Sequence, residues 1–196
     1  VESDITDAEG LKGAKIAVSV GTSAHYLLLT YLESMGLSEQ DIELVNTNDT
    51  VTLLSSGEVQ GAADQLAKFN SLIDAGEVHV LADGTASGTC QISAFVGRND
   101  FCEQYPEITA KILRAVQRVD EWMAESEENL QEAFSTLAEI TQREETWFST
   151  MYSGSNFGAD LTDQDLRVLE EVLQFMKDNE LLSNPDITMD DVLDLS

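Results

Sequence analysis

The feature of this sequence that most limits its fold is an alternation of strand-like and helical segments in its first third. Three apolar runs of strand length occur there: AKIAVSV (14–20), IELVN (42–46) and VQGAA (59–63). Between the first two runs, apolar residues recur at helical spacing from Ala24 until Gly36 ends the segment. A short helix is predicted before the Ser56-Gly57 turn. Strands joined by helices at these spacings predict a parallel α/β sheet with right-handed crossovers.

The pattern changes to helices alone in the second half of the chain. Two more apolar runs, VHVLAD (78–83) and QISAFVG (91–97), are predicted to complete five strands. Beyond them, with Pro106 at a first helical position and Thr162 as a cap, helices are predicted over residues 106–126, 127–140, 143–152, 162–182 and 189–194. A helical half without strands of its own packs either on the first sheet or on an element outside this chain.

The charge of the chain is strongly one-sided. Ten basic residues face 37 acidic ones, which gives a formal net charge of −27. This balance argues against nucleic acid and anionic membranes as partners, because both attract clusters of Lys and Arg. It predicts instead a solvated, self-repelling surface, and no apolar run is long enough to predict a transmembrane helix. Local positive potential for an anionic ligand would then have to come from backbone amides.

Signals for metal binding or catalysis are weak. The two cysteines, Cys90 and Cys102, flank an extended run that holds them too far apart for a disulfide unless the segment folds back, so free thiols are favoured. The two histidines, His25 and His79, are widely separated, and no Cys/His spacing indicates a metal site. No nucleophile elbow, Walker loop or zinc-protease motif is present in the sequence. We therefore predict no catalytic residue, no metal and no cofactor.

The most informative cluster is Gly21-Thr22-Ser23-Ala24-His25, which lies between the first strand and its helix. A helix N-terminus presents free N–H groups and about half a positive charge, which favour an anion or a carbonyl oxygen. Glycine permits close approach of a ligand to the backbone, and Thr22 and Ser23 add hydroxyl groups. The same residues equally suit an ordinary helix cap. His25 either lines a ligand cleft or packs with Tyr26.

Asp64 and Gln65, which follow the third strand, are a second candidate ligand-binding position. Ligands of open α/β sheets meet the carboxyl ends of the strands, where this pair lies. Asp64 is an equally good candidate for capping the next helix. Residues 87–89 could line a cleft but are more typical of a plain loop, and Arg98 is predicted to pair locally with Asp100.

Several segments together carry a resemblance to a known family. LKGAKIAVSVGTSAHYLLLTYLESMGLSEQDIELVN (11–46) resembles the stretch that opens the second lobe of the aliphatic-sulfonate, nitrate and taurine binding proteins of ABC importers. Further segments resemble that family in the same order: SSGEVQGAADQL (55–66), VLADG (80–84), FVGRNDFCEQYPEITAKILRAV (95–116) and LTDQDLRVLEEVLQFMKDNELL (161–182). The resemblance implies a periplasmic-binding-protein type II fold and favours ligand binding by Gly21–His25. That family often has an aromatic residue just after the Asp64 position, whereas Gln65 and its neighbours here suggest a more polar pocket.

The resemblance also implies a location, partners and a division into lobes. We expect an extracytoplasmic component, periplasmic or anchored as a cell-surface lipoprotein, that delivers a small polar or anionic solute to an ABC permease in the membrane. Residues 1–10 would be a linker, 11–118 the second lobe, and 119–196 helices of a first lobe whose N-terminal part has no counterpart in this sequence. We expect these helices to pack against a partner, a second copy of the chain or the sheet, so a homodimer through them is a further expectation.

Two other classes of protein share this fold. Enzymes of thiamine-pyrimidine or menaquinone biosynthesis are one alternative, although the cysteine-rich signature of the former does not occur in this sequence. The effector-sensing domain of a transcription regulator is the other. A regulator needs an N-terminal helix-turn-helix, of which residues 1–10 show no sign.

Overall fold

The computed structural model describes residues 5–84, 86, 92–153 and 162–193. Residues 1–92 and 162–196 form one unit, unit 1, and residues 93–161 form another, unit 2. The described helices are α1 (Ser23–Ser34), α2 (Thr50–Ser55), α3 (Asn70–Asp74), α4 (Asn99–Gln104), α5 (Pro106–Glu125), α6 (Glu127–Thr141), α7 (Glu145–Ser153), α8 (Asp163–Asp178) and α9 (Met189–Val192). None of these helices is both long and apolar enough to span a bilayer.

The described residues of unit 1 contain a parallel sheet of three strands. Its strands are β1 (Lys15–Val18), β2 (Glu43–Asn46) and β3 (Gly61–Ala63), in the order β2-β1-β3. Ala17 of the central strand aligns with Val45 on one side and Ala62 on the other. Parallel strands that are joined by helices confirm the predicted α/β class.

Both faces of the sheet are covered by apolar side chains. Ile16 of β1 packs in a cluster with Leu32 of α1, and the next residue, Ala17, packs in a second cluster with Leu54 of α2. Successive strand residues point to opposite faces, so the two clusters lie on opposite sides of the sheet. This double cover explains why β1 reads as a continuous apolar run and not as an alternating one.

The segment before β1 also belongs to this core. Ile5 is 7% exposed and Ala8 is 2% exposed, and both pack in the cluster that contains Leu32. A short 3₁₀ helix over Glu9–Leu11 then leads into the sheet. Residues 5–10 were expected to be part of a linker, and their acidic composition does not indicate a place in a core. Ile5 and Ala8 nevertheless contribute apolar side chains to unit 1.

Local sequence determines where α1 begins and ends. Gly21 turns the chain out of the sheet with a left-handed backbone, φ +80°, which glycine adopts at little cost. Thr22 is extended, and its Oγ1 accepts a hydrogen bond from the backbone N–H of His25 at 3.4 Å, as an N-cap does. Gly36, at φ +75°, follows the last turn as predicted.

Two of the five predicted strands are wrong. Described residues 78–83 and 92–97 form no strand, and Val80, Phe95 and Val96 are 46%, 71% and 93% exposed. A strand needs a neighbouring strand that pairs its N–H and C=O groups. An apolar run does not reveal whether that neighbour exists, and the described sheet ends at β2 and β3.

α8 packs in unit 1 and begins where the sequence predicts. Thr162 Oγ1 accepts a hydrogen bond from the N–H of Asp165 at 3.2 Å, and the Asp165 carboxylate accepts one from the N–H of Thr162 at 2.8 Å. This reciprocal capping box fixes the start of the helix. The helix ends at Asp178 and not at Leu182, because Glu180 takes a left-handed backbone, φ +55°, that an α-helix does not continue through.

Unit 2 is helical, as predicted. α5 has Pro106 at its first position, and α6 follows Ser126, whose Oγ accepts a hydrogen bond from the N–H of Asn129 at 3.1 Å. Among the described residues of this unit, the buried apolar side chains are Ala133 and Phe134 of α6. The apolar residues of α5 are largely exposed, so this helix has an exposed apolar face.

Predictions for the residues around α4 have mixed outcomes. The local pairing of Arg98 with Asp100 is confirmed, with 2.7 Å between Nη2 and Oδ2. Cys102 carries a free thiol. Cys90 and the loop 87–89 lie outside the described residues, so their roles remain predictions.

The core of unit 1 predicts the effect of truncating Leu32, which is fully buried. Leu32→Ala leaves a cavity against the sheet and is expected to lower the free energy of unfolding by about 2–5 kcal/mol. Met35→Ala, at the end of the same helix and 53% exposed, is the matched control and is expected to change it by less than about 0.5 kcal/mol. Equal midpoints of urea unfolding for the two variants would contradict this description of the core.

Candidate functional site

The turn from β1 into α1 presents unpaired backbone amides at the carboxyl end of the central strand. Gly21, Thr22 and Ser23 are exposed. Within the described part of the chain, no acceptor pairs with the backbone N–H groups of Thr22, Ser23 and Ala24. These are the orphan donors of a helix N-terminus, and the dipole of α1 adds a partial positive charge to them. The turn can therefore bind an anionic or carbonyl oxygen.

The hydroxyl groups of this turn differ in their availability. Thr22 Oγ1 donates to the carbonyl oxygen of Ser19 at 2.7 Å while it accepts from the N–H of His25. Its hydrogen-bonding capacity is therefore largely used by the cap. The hydroxyl of Ser23 has no hydrogen-bond partner among the described residues and remains available to a ligand.

A cavity of about 130 Å³ lies beside this turn, and residues of unit 1 line it. Gly21, Thr22 and Ser23 form its polar edge. Most of the remaining wall is apolar and comes from α1 and α8: Tyr26, Leu27, Val168, Leu169, Val172 and Phe175. The cavity thus combines free N–H donors with a hydrocarbon wall, which suits a small ligand with an anionic head and an apolar body.

His25 packs behind the turn and is not among the residues that line the cavity. Its side chain is 3% exposed, and the ring of Phe175 meets it edge-on at a centroid distance of 5.7 Å. Phe175 also contacts Tyr26, at 5.1 Å. Burial lowers the pKa of His25 below its usual value near 6.5, although the carboxylate of Glu39 acts in the opposite direction. Burial therefore favours the neutral form of the ring.

Asp64 is held by the protein's own donors. Its carboxylate accepts hydrogen bonds at 2.8 Å from Thr50 Oγ1, from the N–H of Gln65 and from Lys68 Nζ. Burial on its own would raise the pKa of this carboxyl, but the bonds from Lys68, Gln65 and Thr50 outweigh it and hold the pKa below its usual value near 3.8. Asp64 therefore ties α2, through Thr50, to the end of β3.

Three residues of the first predicted cluster, Gly21–His25, line the cavity, and none of the second cluster does. Gly21, Thr22 and Ser23 line it, whereas Asp64 and the exposed Gln65 do not. Ligand contact stays a prediction for both clusters. The described residues contain no group of three or more His, Cys, Asp or Glu side chains placed to hold a metal ion.

The apolar wall that α8 supplies to the cavity was not predicted from the sequence. Val168, Val172 and Phe175 recur at helical spacing, which predicts an apolar face but not the element that it contacts. Their contact with α1 is visible only once the structure places both helices in unit 1. Phe175 contacts both His25 and Tyr26, a packing arrangement that sequence spacing did not reveal.

Comparison with known proteins identifies relatives of the predicted kind. The taurine-binding periplasmic protein of Escherichia coli (strain K12) is 24% identical over 195 aligned residues, which cover 91% of this chain and 59% of that protein. The periplasmic aliphatic sulphonate binding protein SsuA of Escherichia coli superimposes with a TM-score of 0.78 at 20% identity, over 93% of this chain and 63% of that chain. The alkanesulfonate-binding protein SsuA of Xanthomonas axonopodis pv. citri, bound to MOPS, gives 0.72 at 19% identity over the same shares.

These likenesses confirm the predicted fold, that of the periplasmic sulfonate-binding proteins. The chain spans 59% to 63% of the length of the relatives described above. Residues 1–129 match the family model described as NMT1/THI5 like. Because that match covers more than half of the sequence, the chain belongs to the NMT1/THI5-like family.

Proposed function

We propose that this chain is part of the substrate-binding component of an ABC importer and holds a small anionic solute, such as a sulfonate, at the N-terminus of α1. One observation carries this proposal: the amides of Thr22, Ser23 and Ala24, which have no acceptor among the described residues, lie beside a cavity whose wall is mostly apolar. The relatives are binding proteins for taurine and for aliphatic sulfonates. An aliphatic sulfonate combines an anionic head with a hydrocarbon segment, and the cavity presents N–H donors to the one and an apolar wall to the other.

The electrostatics of the turn favour an anion despite the acidity of the whole chain. The net charge of −27 opposes an approaching anion at long range. At physiological ionic strength this repulsion is screened beyond roughly 8 Å, whereas N–H groups act at contact distance. Three consecutive amides and the Ser23 hydroxyl, none of them paired within the described ranges, match the acceptor-only oxygens of a sulfonate, which stays ionised at neutral pH.

The proposed mechanism requires binding and release but no bond breaking. The sulfonate oxygens accept hydrogen bonds from the amides of Thr22, Ser23 and Ala24, while the carbon chain packs against Val168, Val172 and their neighbours on α8. A closed conformation of the complete protein would bind the ligand more tightly than an open one and would dock on a membrane permease. We assign no catalytic residue, and we place the protein outside the cytoplasm, as its periplasmic relatives are.

A proline at the first position of α1 tests the role of the amides. Ser23→Pro removes one N–H donor, and proline is tolerated there because that N–H has no helical partner and Thr22 is already extended. In the full-length protein, we expect affinity for ethanesulfonate, measured by calorimetry, to fall by about 1–3 kcal/mol, that is, about five- to 150-fold.

Two control variants separate the amide from other effects. Ser23→Ala removes the hydroxyl but keeps the N–H, and it is expected to cost less affinity than Ser23→Pro. Glu127→Pro places the same residue at the first position of α6, after the extended Ser126, and is expected to leave affinity unchanged. Unaltered ethanesulfonate binding by a folded Ser23→Pro variant contradicts the proposal, as does a wild-type protein that binds no sulfonate.

The exposed face of α5 supports a second part of the proposal, a homodimer of the chain through its helical segment. Ile108, Ile112 and Val119 lie on one side of α5 and are 46%, 47% and 51% exposed. Lys111 and Arg118 follow one edge of this face, and Glu125 continues their seven-residue spacing. When two copies of α5 pair in antiparallel orientation, Lys111 of each lies opposite Glu125 of the other. In the same register the two Arg118 side chains lie opposite each other, so the face is complementary to itself in hydrophobicity and, through the two Lys111–Glu125 pairs alone, in charge.

The oligomeric state of the chain tests this pairing. Sedimentation equilibrium is expected to show a dimer of the wild-type chain and a monomer of Ile112→Glu, because a charge buried within the apolar face lacks a partner. Gln117→Glu adds the same charge on the opposite, exposed side of α5 and is expected to remain dimeric. A monomeric wild-type chain, or dimers of all three proteins, would contradict pairing through this face.

A further inference from the structure

We propose that His25 is a positioning residue for the anion site: its imidazole holds the Gly21 amide and thereby fixes the turn whose next amides bind the ligand. The inference deepens the proposed function and rests on it for the identity of the ligand. The hydrogen bond that carries it runs from the N–H of Gly21 to His25 Nδ1, at 3.4 Å. It links the turn to the first turn of α1, four residues further along the chain.

Gly21 is the point at which this turn is most easily deformed. Its backbone is left-handed, φ +80°, and glycine has access to more backbone conformations than any other residue. Rotation about Gly21 would redirect the amides of Thr22 and Ser23, which line the cavity. The bond to Nδ1 restrains this rotation, and it also removes the Gly21 amide itself from the set of donors open to a ligand.

The imidazole of His25 is itself held in place by packing. His25 is 3% exposed, and Phe175 of α8 packs edge-on against both His25 and Tyr26. The side chain therefore has little room to change rotamer without moving α8. Since Phe175 also lines the cavity, the packing that fixes the ring is part of the same apolar wall.

The second ring nitrogen, Nε2, indicates that His25 has a role besides packing. Because Nδ1 accepts the Gly21 hydrogen bond, the neutral ring carries its proton on Nε2. Nε2 is buried and has no hydrogen-bond partner among the described residues. A buried unpaired donor destabilises the folded state, and an apolar side chain at this position would avoid that cost. The arrangement is thus unfavourable for stability while it supplies an acceptor to the turn.

Two substitutions separate positioning from packing. His25→Leu keeps an apolar side chain against Phe175 but removes the acceptor, whereas His25→Asn supplies an oxygen near the position of Nδ1. We expect His25→Leu to be at least as stable as the wild type in urea unfolding. We also expect its Gly21 amide to exchange with solvent about five- to tenfold faster, and its affinity for ethanesulfonate to fall by a similar factor. His25→Asn is expected to restore part of both losses.

Nitrogen-15 NMR of the chain tests the positioning without any ligand. The wild-type ring is expected to be the neutral Nε2–H tautomer, and the Gly21 amide signal is expected to shift in His25→Leu and to return toward the wild-type position in His25→Asn. A proton on Nδ1, or Gly21 exchange that is the same in all three proteins, overturns the proposal. Loss of affinity in His25→Leu without change at Gly21 also overturns it. If the wild type binds no sulfonate, the proposed function fails, and the tautomer and Gly21 exchange still decide whether His25 positions the turn.

Discussion

A helix that starts directly after a buried parallel strand leaves its first amides without partners at the edge of the sheet, and the account of this protein depends on that constraint. Ile16, Ala17 and Val18 of β1 are buried, and the chain leaves the carboxyl end of this strand through the turn at Gly21. Thr22 caps one amide of α1 and the amides of Thr22, Ser23 and Ala24 stay unpaired within the described part of the chain. The N-terminus of α1 thus provides a local positive potential in a strongly acidic protein.

α8 supplies part of the apolar wall of the cavity beside this helix N-terminus, and the turn supplies its polar edge. Its side chains Val168, Val172 and Phe175 face the turn and the first residues of α1. An amide cluster alone would accept any small anion, whereas an apolar wall beside it favours an anion attached to carbon. Phe175 also covers His25, so the same residue contributes to the wall and to the restraint on the turn.

The parts of the fold that local pattern determines were predictable, and the parts that depend on distant contacts were not. The three strands of the sheet, the cap at Thr22 and the stop at Gly36 follow from apolar runs and turn residues a few positions apart. The segments 78–83 and 92–97 have the same apolar pattern but no strand beside them in the described sheet. For the site, Gly21–Ser23 could be predicted from residue type and place. The roles of His25 and Asp64 depend on Phe175 and on Thr50 with Lys68, and sequence spacing does not reveal those contacts.

The most direct test is a crystal structure of the full-length protein with ethanesulfonate. We expect sulfonate oxygens within about 2.7–3.2 Å of the backbone nitrogens of Thr22, Ser23 and Ala24, with the ethyl group against the α8 wall. A sulfonate bound elsewhere, or α8 side chains closed over those amides with no space for a ligand, would contradict it.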